Sequence, residues 1–450
     1  MQTSSLTSTP ARMLRNIRFQ AVAQGFGALV NFALPSLVVY LGIGDTVTTY
    51  AVGTTLMVIL RVVSDWGAGT LAIRDVARDQ RRLRSYQPVQ LRVRLIASAG
   101  CLLVMAAYGL TYADAHVRKV VAIFALTMML ETMAEGYRWV FRATQRMGWD
   151  AIVQISERTT TLAATLAAVF AFGSVEACAL AATAGQVVSI AVAWTLSRRI
   201  LAAAPEVPAP PDLPSYFLRL GPGFVAMAAT WVLYFRIDYL ILDKWFRGTV
   251  ETGLYALAYM PLKGILMVPE VVMMSIFPAF AEMHGADAGR LGDTVRRAFR
   301  LLCGATLALS VALVLGHHPL SRLILLLKHK AEDTSMLPLL LSVLVLAAPL
   351  YTVTSICGHI MAATGGQVRL SFWYFIALAF NIAGNVAYAI PRHGALGCAV
   401  MTVATDAFLS TCLVWSLDPR IGRTLRLPAA ALCLLQGALT LVVLDTLGRS

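Results

Sequence analysis

Met336-Leu-Pro-Leu-Leu-Leu-Ser-Val-Leu-Val-Leu-Ala-Ala-Pro-Leu-Tyr-Thr-Val-Thr-Ser-Ile-Cys-Gly-His-Ile-Met-Ala-Ala363 runs for 28 residues without an Asp, Glu, Lys or Arg. About 20 mostly apolar residues suffice for a helix to cross the hydrocarbon core of a bilayer. The run has no strict period-two alternation, so it does not read as a barrel strand. Working outward, the same reading holds on the C-terminal side for residues 369–390, 395–416 and 427–446. On the N-terminal side it holds for 297–316, 252–280, 216–242, 176–197, 149–172, 119–141, 93–112, 46–73 and 16–41. Composition agrees: 58% of 450 residues are apolar and 14% charged, mean hydropathy is +0.70, and soluble chains carry about a quarter charged residues. The predicted fold class is an all-α, polytopic transmembrane helix bundle of 12–13 spans. Residues 16–41 are too long for a signal-peptide core and read as a retained first span. Pro35, Pro222, Pro261, Pro269, Pro278, Pro338 and Pro349 fall inside or at the ends of spans and are expected to mark kinks.

The net charge is +13. In a soluble chain it would suggest nucleic acid; here the arginines sit between apolar runs, and nucleic acid is excluded as a partner. With the N-terminus inside, inner segments hold 24 basic residues and outer segments 9. That asymmetry predicts a cytoplasmic N-terminus. Thirteen spans would put the C-terminus outside. The seven cysteines lie in or beside apolar runs with no CxxC spacing, which argues against disulfides and zinc. There is no Walker loop, HExxH or Ser/His/Asp order, and no outer loop long enough for a catalytic domain. An enzyme is not expected, and no cofactor or metal is implied.

Leu201-Ala-Ala-Ala-Pro-Glu-Val-Pro-Ala-Pro-Pro-Asp212 is the clearest boundary. It suggests a six-helix lobe over 1–201, a cytoplasmic linker over 202–215, a second six-helix lobe over 216–416 and an additional span within 417–450. Thr46-Val-Thr-Thr-Tyr-Ala-Val52 opens the second span of one half, and Thr249-Val-Glu-Thr-Gly-Leu-Tyr-Ala-Leu257 the second span of the other. The match suggests a parallel repeat, with a site between the lobes.

Four basic residues remain well inside spans: Arg61, Arg158, Arg236 and Lys263. A charge at mid-bilayer costs ~2.5–3.5 kcal/mol on insertion scales, so each is a functional candidate. Acidic residues lie at similar depths. Asp65 follows Arg61 by four, Glu157 adjoins Arg158, Asp238 follows Arg236 by two, and Glu131, Glu135, Arg138 and Arg142 form a stripe on one helix face. In one reading Asp65, Asp238, Glu131 and Glu135 neutralise basic neighbours and fix packing. In the other, the basic groups line a water-accessible cavity that holds an anion; Arg suits diphosphate because its planar fork donates two parallel hydrogen bonds. Glu270 lies seven positions after Lys263, about 10 Å along a helix, and Asp406 has no basic neighbour in its span. These two are candidates to carry a coupling proton or sodium ion, or to anchor interhelical hydrogen bonds.

Three segments carry a resemblance. Phe235-Arg-Ile-Asp-Tyr-Leu-Ile-Leu242 followed by Glu251-Thr-Gly-Leu-Tyr-Ala-Leu-Ala258, Val62-Val-Ser-Asp-Trp-Gly-Ala-Gly-Thr-Leu-Ala-Ile-Arg74, and Asn381-Ile-Ala-Gly-Asn-Val-Ala-Tyr-Ala-Ile-Pro391 with Gly394-Ala-Leu-Gly397 occur in the order and spacing of a family. Together they resemble bacterial polysaccharide flippases of the multidrug/oligosaccharidyl-lipid/polysaccharide exporter superfamily, over most of residues 12–416. The resemblance implies a plasma-membrane protein that moves a polyprenyl-diphosphate-linked oligosaccharide from the inner to the outer leaflet. Lipid-linked glycan is then the substrate, and polysaccharide polymerase and export machinery are candidate partners. It also implies spans one, two, seven and eight around the opening of a cavity. The alternatives are a multidrug cation antiporter of the same superfamily, whose substrates four intramembrane basic residues would repel, and a membrane-bound glycan polymerase or glycosyltransferase.

Overall fold

The computed structural model describes residues 10–42, 46–112, 114–246, 249–286, 288–326, 333–364 and 366–447. Each of the thirteen apolar runs is helical, and no strand occurs among the described residues. The side chains of Arg12, Arg15, Arg18 and Arg290, on which part of the orientation reading rests, lie outside the described residues. The chain divides into two compact units, Met1–Leu41 with Val52–Ala229 and Gly42–Ala51 with Thr230–Ser450.

The first unit holds α1 (Pro10–Val39), most of α2 (Thr48–Asp65), α3 (Ala68–Arg78), α4 (Leu83–Gly109), α5 (Ala115–Ala143), α6 (Met147–Ala167), α7 (Val175–Ala203) and the first turns of α8 (Leu213–Tyr234). α5 packs on α4 and α7, and α6 on α7 and α1. Close approach of α6 and α7 depends on Gly185, where a Cβ would collide with the Thr161 hydroxyl and sit 3.1 Å from the Glu157 carbonyl. In lipid there is no hydrophobic drive between helices, so such small residues and interhelical hydrogen bonds carry association. Ser64 and Thr132 share a hydrogen bond of 2.6 Å, and Thr127 and Thr183 one of 2.8 Å.

The second predicted span is not one helix. It breaks at Trp66 (φ 51°) and Gly67 (φ 66°), two consecutive residues in left-handed conformation, and α2 and α3 meet at 44°. Only glycine takes that φ without strain. A Cβ on Gly67 would also lie 2.7 Å from the Phe224 side chain, so α8 sits directly on the elbow.

The second unit comprises the end of α8, α9 (Ile237–Trp245), α10 (Val250–Ala286), α11 (Ala288–Leu315), α12 (His317–Ile324), α13 (Leu337–Val345), α14 (Ala348–Ala363), α15 (Gln367–Gly384), α16 (Ile390–Ser416) and α17 (Pro419–Leu447). α14 packs on α10, α11 and α16, and α17 on α16 and α11. The stretch Leu337–Ala363 is the most enclosed of the long apolar segments, with 94% of its apolar window buried, against 28% for Ile421–Thr446. The start of α2 belongs here as well, and Thr48 Oγ1 donates to the Thr249 carbonyl at 3.2 Å.

By length and composition, seven described helical segments can cross a membrane, or eight with the bent α2–α3 pair. α5 and α6 carry Glu131, Glu135, Arg138, Asp150, Glu157 and Arg158, which lower their mean hydropathy. The sharp breaks also depart from expectation. Pro35, Pro222, Pro261 and Pro269 lie inside continuous helices, and Pro338 and Pro349 in first turns, where the missing N–H costs nothing. The breaks fall instead at Trp66–Gly67, Phe235–Arg236 and Leu346–Ala347, with tightened hydrogen bonds such as Arg236 N–Leu233 O at 3.0 Å.

Candidate functional site

In the first unit the charges within the apolar runs neutralise one another, between helices and along them. Arg61 Nε lies 3.4 Å from Glu131 Oε1. Asp65 does not pair with Arg61, as the spacing of four suggested. Its carboxylate lies 2.5 Å from Arg94 Nη2. Arg94 is 1% exposed and is further fixed by Gln90 Oε1 at 2.8 Å and the Thr132 carbonyl at 3.2 Å. The i,i+4 rule describes an isolated helix; a bundle offers Arg94 and Glu131 from neighbouring helices, and these win.

Glu135 pairs with Arg138 and, at 3.0 Å, with Arg142. Arg138 Nε donates to Asp150 Oδ1 at 2.8 Å, and Arg142 Nε lies 3.5 Å from Asp150 Oδ2. Arg158 Nε is 3.7 Å from Glu157 Oε1, its Nη1 donates to Asn31 Oδ1 at 2.9 Å, and Gln186 donates to Glu157 at 3.3 Å. Two network members keep a face open: the Arg61 and Arg158 side chains are 36% and 33% exposed.

The second unit is organised differently. Arg236 precedes α9 as its N-terminal flanking residue, at the break after α8. Lys263 Nζ lies 5.3 Å from the Tyr259 ring centroid and 5.7 Å from that of Tyr239, in cation–π range. Among the described residues, neither cation has a carboxylate within 4 Å. The carboxylates are held by neutral donors instead. Asp238 is not paired with Arg236, since residues two apart point to different faces. It accepts from Tyr255 Oη, Thr402 Oγ1 and Asn385 Nδ2, each at 3.1 Å. Asp406 accepts from Tyr234 Oη. Glu270 accepts from Tyr351 Oη at 2.7 Å and Ser355 Oγ at 2.8 Å, with His359 Nε2 at 4.0 Å.

Asn385 opens a π-helical segment, Asn385–Ala389, between α15 and α16. Its Nδ2 also reaches Asn381 Oδ1 at 3.0 Å, and Asn381 donates to Thr405 Oγ1 at 3.3 Å. Tyr234, Asp238, Tyr259, Asn381, Thr402 and Asp406 border a cavity of about 10 Å³, room for one water. The residues that sequence reasoning left out are Arg94, Asn385 and Thr402. Each had a signal: Gln87, Gln90 and Arg94 form a polar stripe on α4, and Asn381/Asn385 and Thr402/Asp406 are i,i+4 pairs.

Two helical units, with ion pairs and hydrogen-bonded carboxylates among apolar helices, define a multi-pass α-helical membrane protein with the fold of the multidrug/oligosaccharidyl-lipid/polysaccharide exporters. A structure titled lipid II flippase MurJ, inward closed conformation, is similar at 14% identity with a TM-score of 0.69, over 96% of this chain and 98% of that one. An inward-facing multidrug resistance MATE family transporter of that superfamily is similar at 11% identity and TM-score 0.69, over 92% and 95%. A superfamily transporter from Pyrococcus furiosus, described as having a binding pocket of reverse polarity, is similar at 14% identity and TM-score 0.59, over 94% and 96%. A family model described as polysaccharide biosynthesis protein matches residues 13–284. The chain belongs to that family. No curated protein sequence matches it.

Proposed function

We propose that this protein moves a polyprenyl-diphosphate-linked oligosaccharide from the inner to the outer leaflet of the plasma membrane, with its N-terminus in the cytoplasm, for cell-surface or exopolysaccharide synthesis. The observation that carries the reading is the pair of cations on apolar segments of the second unit, Arg236 and Lys263, with no carboxylate within 4 Å among the described residues. A cation in a span without a counter-ion needs water or an anion, and a diphosphate supplies the anion. Arg61 and Arg158 support the same reading through the faces that their ion pairs leave open. Transport follows alternating access along a cationic passage, without a catalytic step. Family membership supports the class of substrate, and the basic groups support its charge.

The multidrug-antiporter reading has the MATE neighbours in its favour, but Arg236 and Lys263 oppose an organic cation. The test is flipping of a fluorescent polyprenyl-diphosphate oligosaccharide in proteoliposomes. Arg236→Ala and Lys263→Ala each abolish it at unchanged protein level. Wild-type flipping by both variants, or ethidium efflux by the wild type without glycan flipping, overturns the proposal.

A further inference from the structure

A second cavity belongs wholly to the first unit and to none of the groups above. It has a volume of about 340 Å³, and its lining includes Arg81, Thr144, Gln145, Arg146 and Arg199. The arginines come from three separate places: the turn before α4, the α5–α6 turn and the last turns of α7. Among the described residues, Arg146 and Arg199 make no ion pair. Arg81 spends its Nε on Asp79 Oδ1 at 3.1 Å, and that bond holds the Asp79 carboxyl below its usual range. The nearby acids are matched already, Asp79 by Arg81 and Arg82 and Glu206 by Arg84 at 3.4 Å. The cavity therefore keeps a net positive charge.

Its wall is built, not floppy. α5 ends in a pair of crossing hydrogen bonds, Arg146 N to Phe141 O at 2.7 Å and Gln145 N to Arg142 O at 3.2 Å. That is a Schellman turn, whose left-handed position belongs to glycine by preference. Gln145 occupies it at φ 55°. Glutamine accepts the strained backbone and sets an amide on the cavity wall, where glycine would leave none. The same turn fixes the backbone of Arg146, whose guanidinium lies 5.5 Å from the Trp149 ring.

Depth is marked by α7. Trp194 is 45% exposed, and the Arg198 guanidinium lies 4.6 Å from its ring. An exposed Trp beside Arg is the composition of the bilayer–water boundary. Arg199 follows directly, so the cavity opens at the level of headgroups. The negative ends of α5 and α7 also favour arginine, by ~0.3–1 kcal/mol each. That explains cations at those ends, and it does not explain a cavity between them.

We propose that this cavity is a binding site for a phosphoryl group, with Arg146, Arg199, Arg81 and the Gln145 amide as its donors. The phosphate of an anionic phospholipid headgroup and free phosphate share this chemistry, and the site does not depend on the transport reaction proposed above. Basic pockets of this kind at helix ends hold anionic headgroups.

The test uses the full-length protein in neutral detergent, with native mass spectrometry counting bound molecules. Dioctanoyl-phosphatidylglycerol, dioctanoyl-phosphatidylcholine and sodium phosphate are the three probes. Phosphatidylglycerol binds the wild type at least ~10-fold more tightly than phosphatidylcholine, R146Q/R199Q loses that preference, and R146K/R199K keeps part of it. Both side chains are exposed, and an unchanged elution profile shows that the variants fold. Displacement of phosphatidylglycerol by millimolar phosphate supports the site with free phosphate as its ligand; resistance to displacement supports it with the headgroup. Equal retention of both lipids by the wild type together with no phosphate binding overturns it, and so does wild-type binding by R146Q/R199Q.

Discussion

The two units bury charge in opposite ways. In the first, Arg61, Arg94, Arg138, Arg142 and Arg158 each face a carboxylate on another element or along their own helix, and Arg94 is closed off from solvent altogether. In the second, the carboxylates Asp238, Asp406 and Glu270 are held by tyrosine, serine, threonine and asparagine. Among the described residues, the cations Arg236 and Lys263 have no carboxylate within 4 Å, and Lys263 lies against the Tyr239 and Tyr259 rings. Paired charge gives rigidity and specific packing; charge without a partner gives affinity for a ligand. Under the transport proposal the difference divides labour between a braced unit and a binding unit, and substitutions should report it.

The largest effect belongs to the braced unit. Asp65→Ala leaves Arg94 buried without its counter-ion and should cost about 3–5 kcal/mol. Detergent-resistant, monodisperse protein should fall sharply, and a normal thermal transition would break the comparison. In the binding unit, exchange of like charges sharpens it. If Arg236 holds phosphate bidentately, Arg236→Lys recovers less flipping than Lys263→Arg, because a point charge does not replace a planar fork. Equal recovery would argue for simple charge. Glu270→Gln and Asp406→Asn address coupling, since one charge crossing 100 mV supplies ~2.3 kcal/mol. If either carboxylate carries the coupling ion, proteoliposome flipping stops responding to an imposed pH or sodium gradient and keeps its basal rate. Flipping indifferent to gradients in the wild type and both variants would make them hydrogen-bond anchors. The smallest effect is Thr127→Val, which removes the bond to Thr183 and should cost ~0.6 kcal/mol. A much larger loss would mean that packing, not the hydrogen bond, is the sensitive quantity there.

The helices were legible because hydrocarbon thickness imposes a length that composition records directly. All thirteen runs could be marked, including Met336–Ala363, although that run is two helices joined at Leu346–Ala347. Arg236 and Lys263 also stand out in the sequence against apolar neighbours. Partners were not legible. Asp65 has Arg61 four residues away, and only the bundle shows that Arg94 takes it, because interhelical geometry leaves no trace in local spacing. Arg94 itself read as a loop residue at the head of an apolar run, where a buried and a solvated arginine look alike. Breaks were obscure for a similar reason. Proline is the visible signal, but Pro222 continues its helix while Trp66 and Phe235 end theirs.

The Asp65–Arg94 contact has a consequence for biogenesis. α2 leaves the ribosome first, and α4 follows with an arginine that lipid disfavours by ~2.5–3.5 kcal/mol. Released into the bilayer alone, α4 would offer that charge only the Gln90 amide, and Asp65 would wait in α2 with the converse problem. The contact therefore predicts coupled insertion: α2 stays at the translocon until α4 arrives, and the pair enters the membrane with its charges already joined.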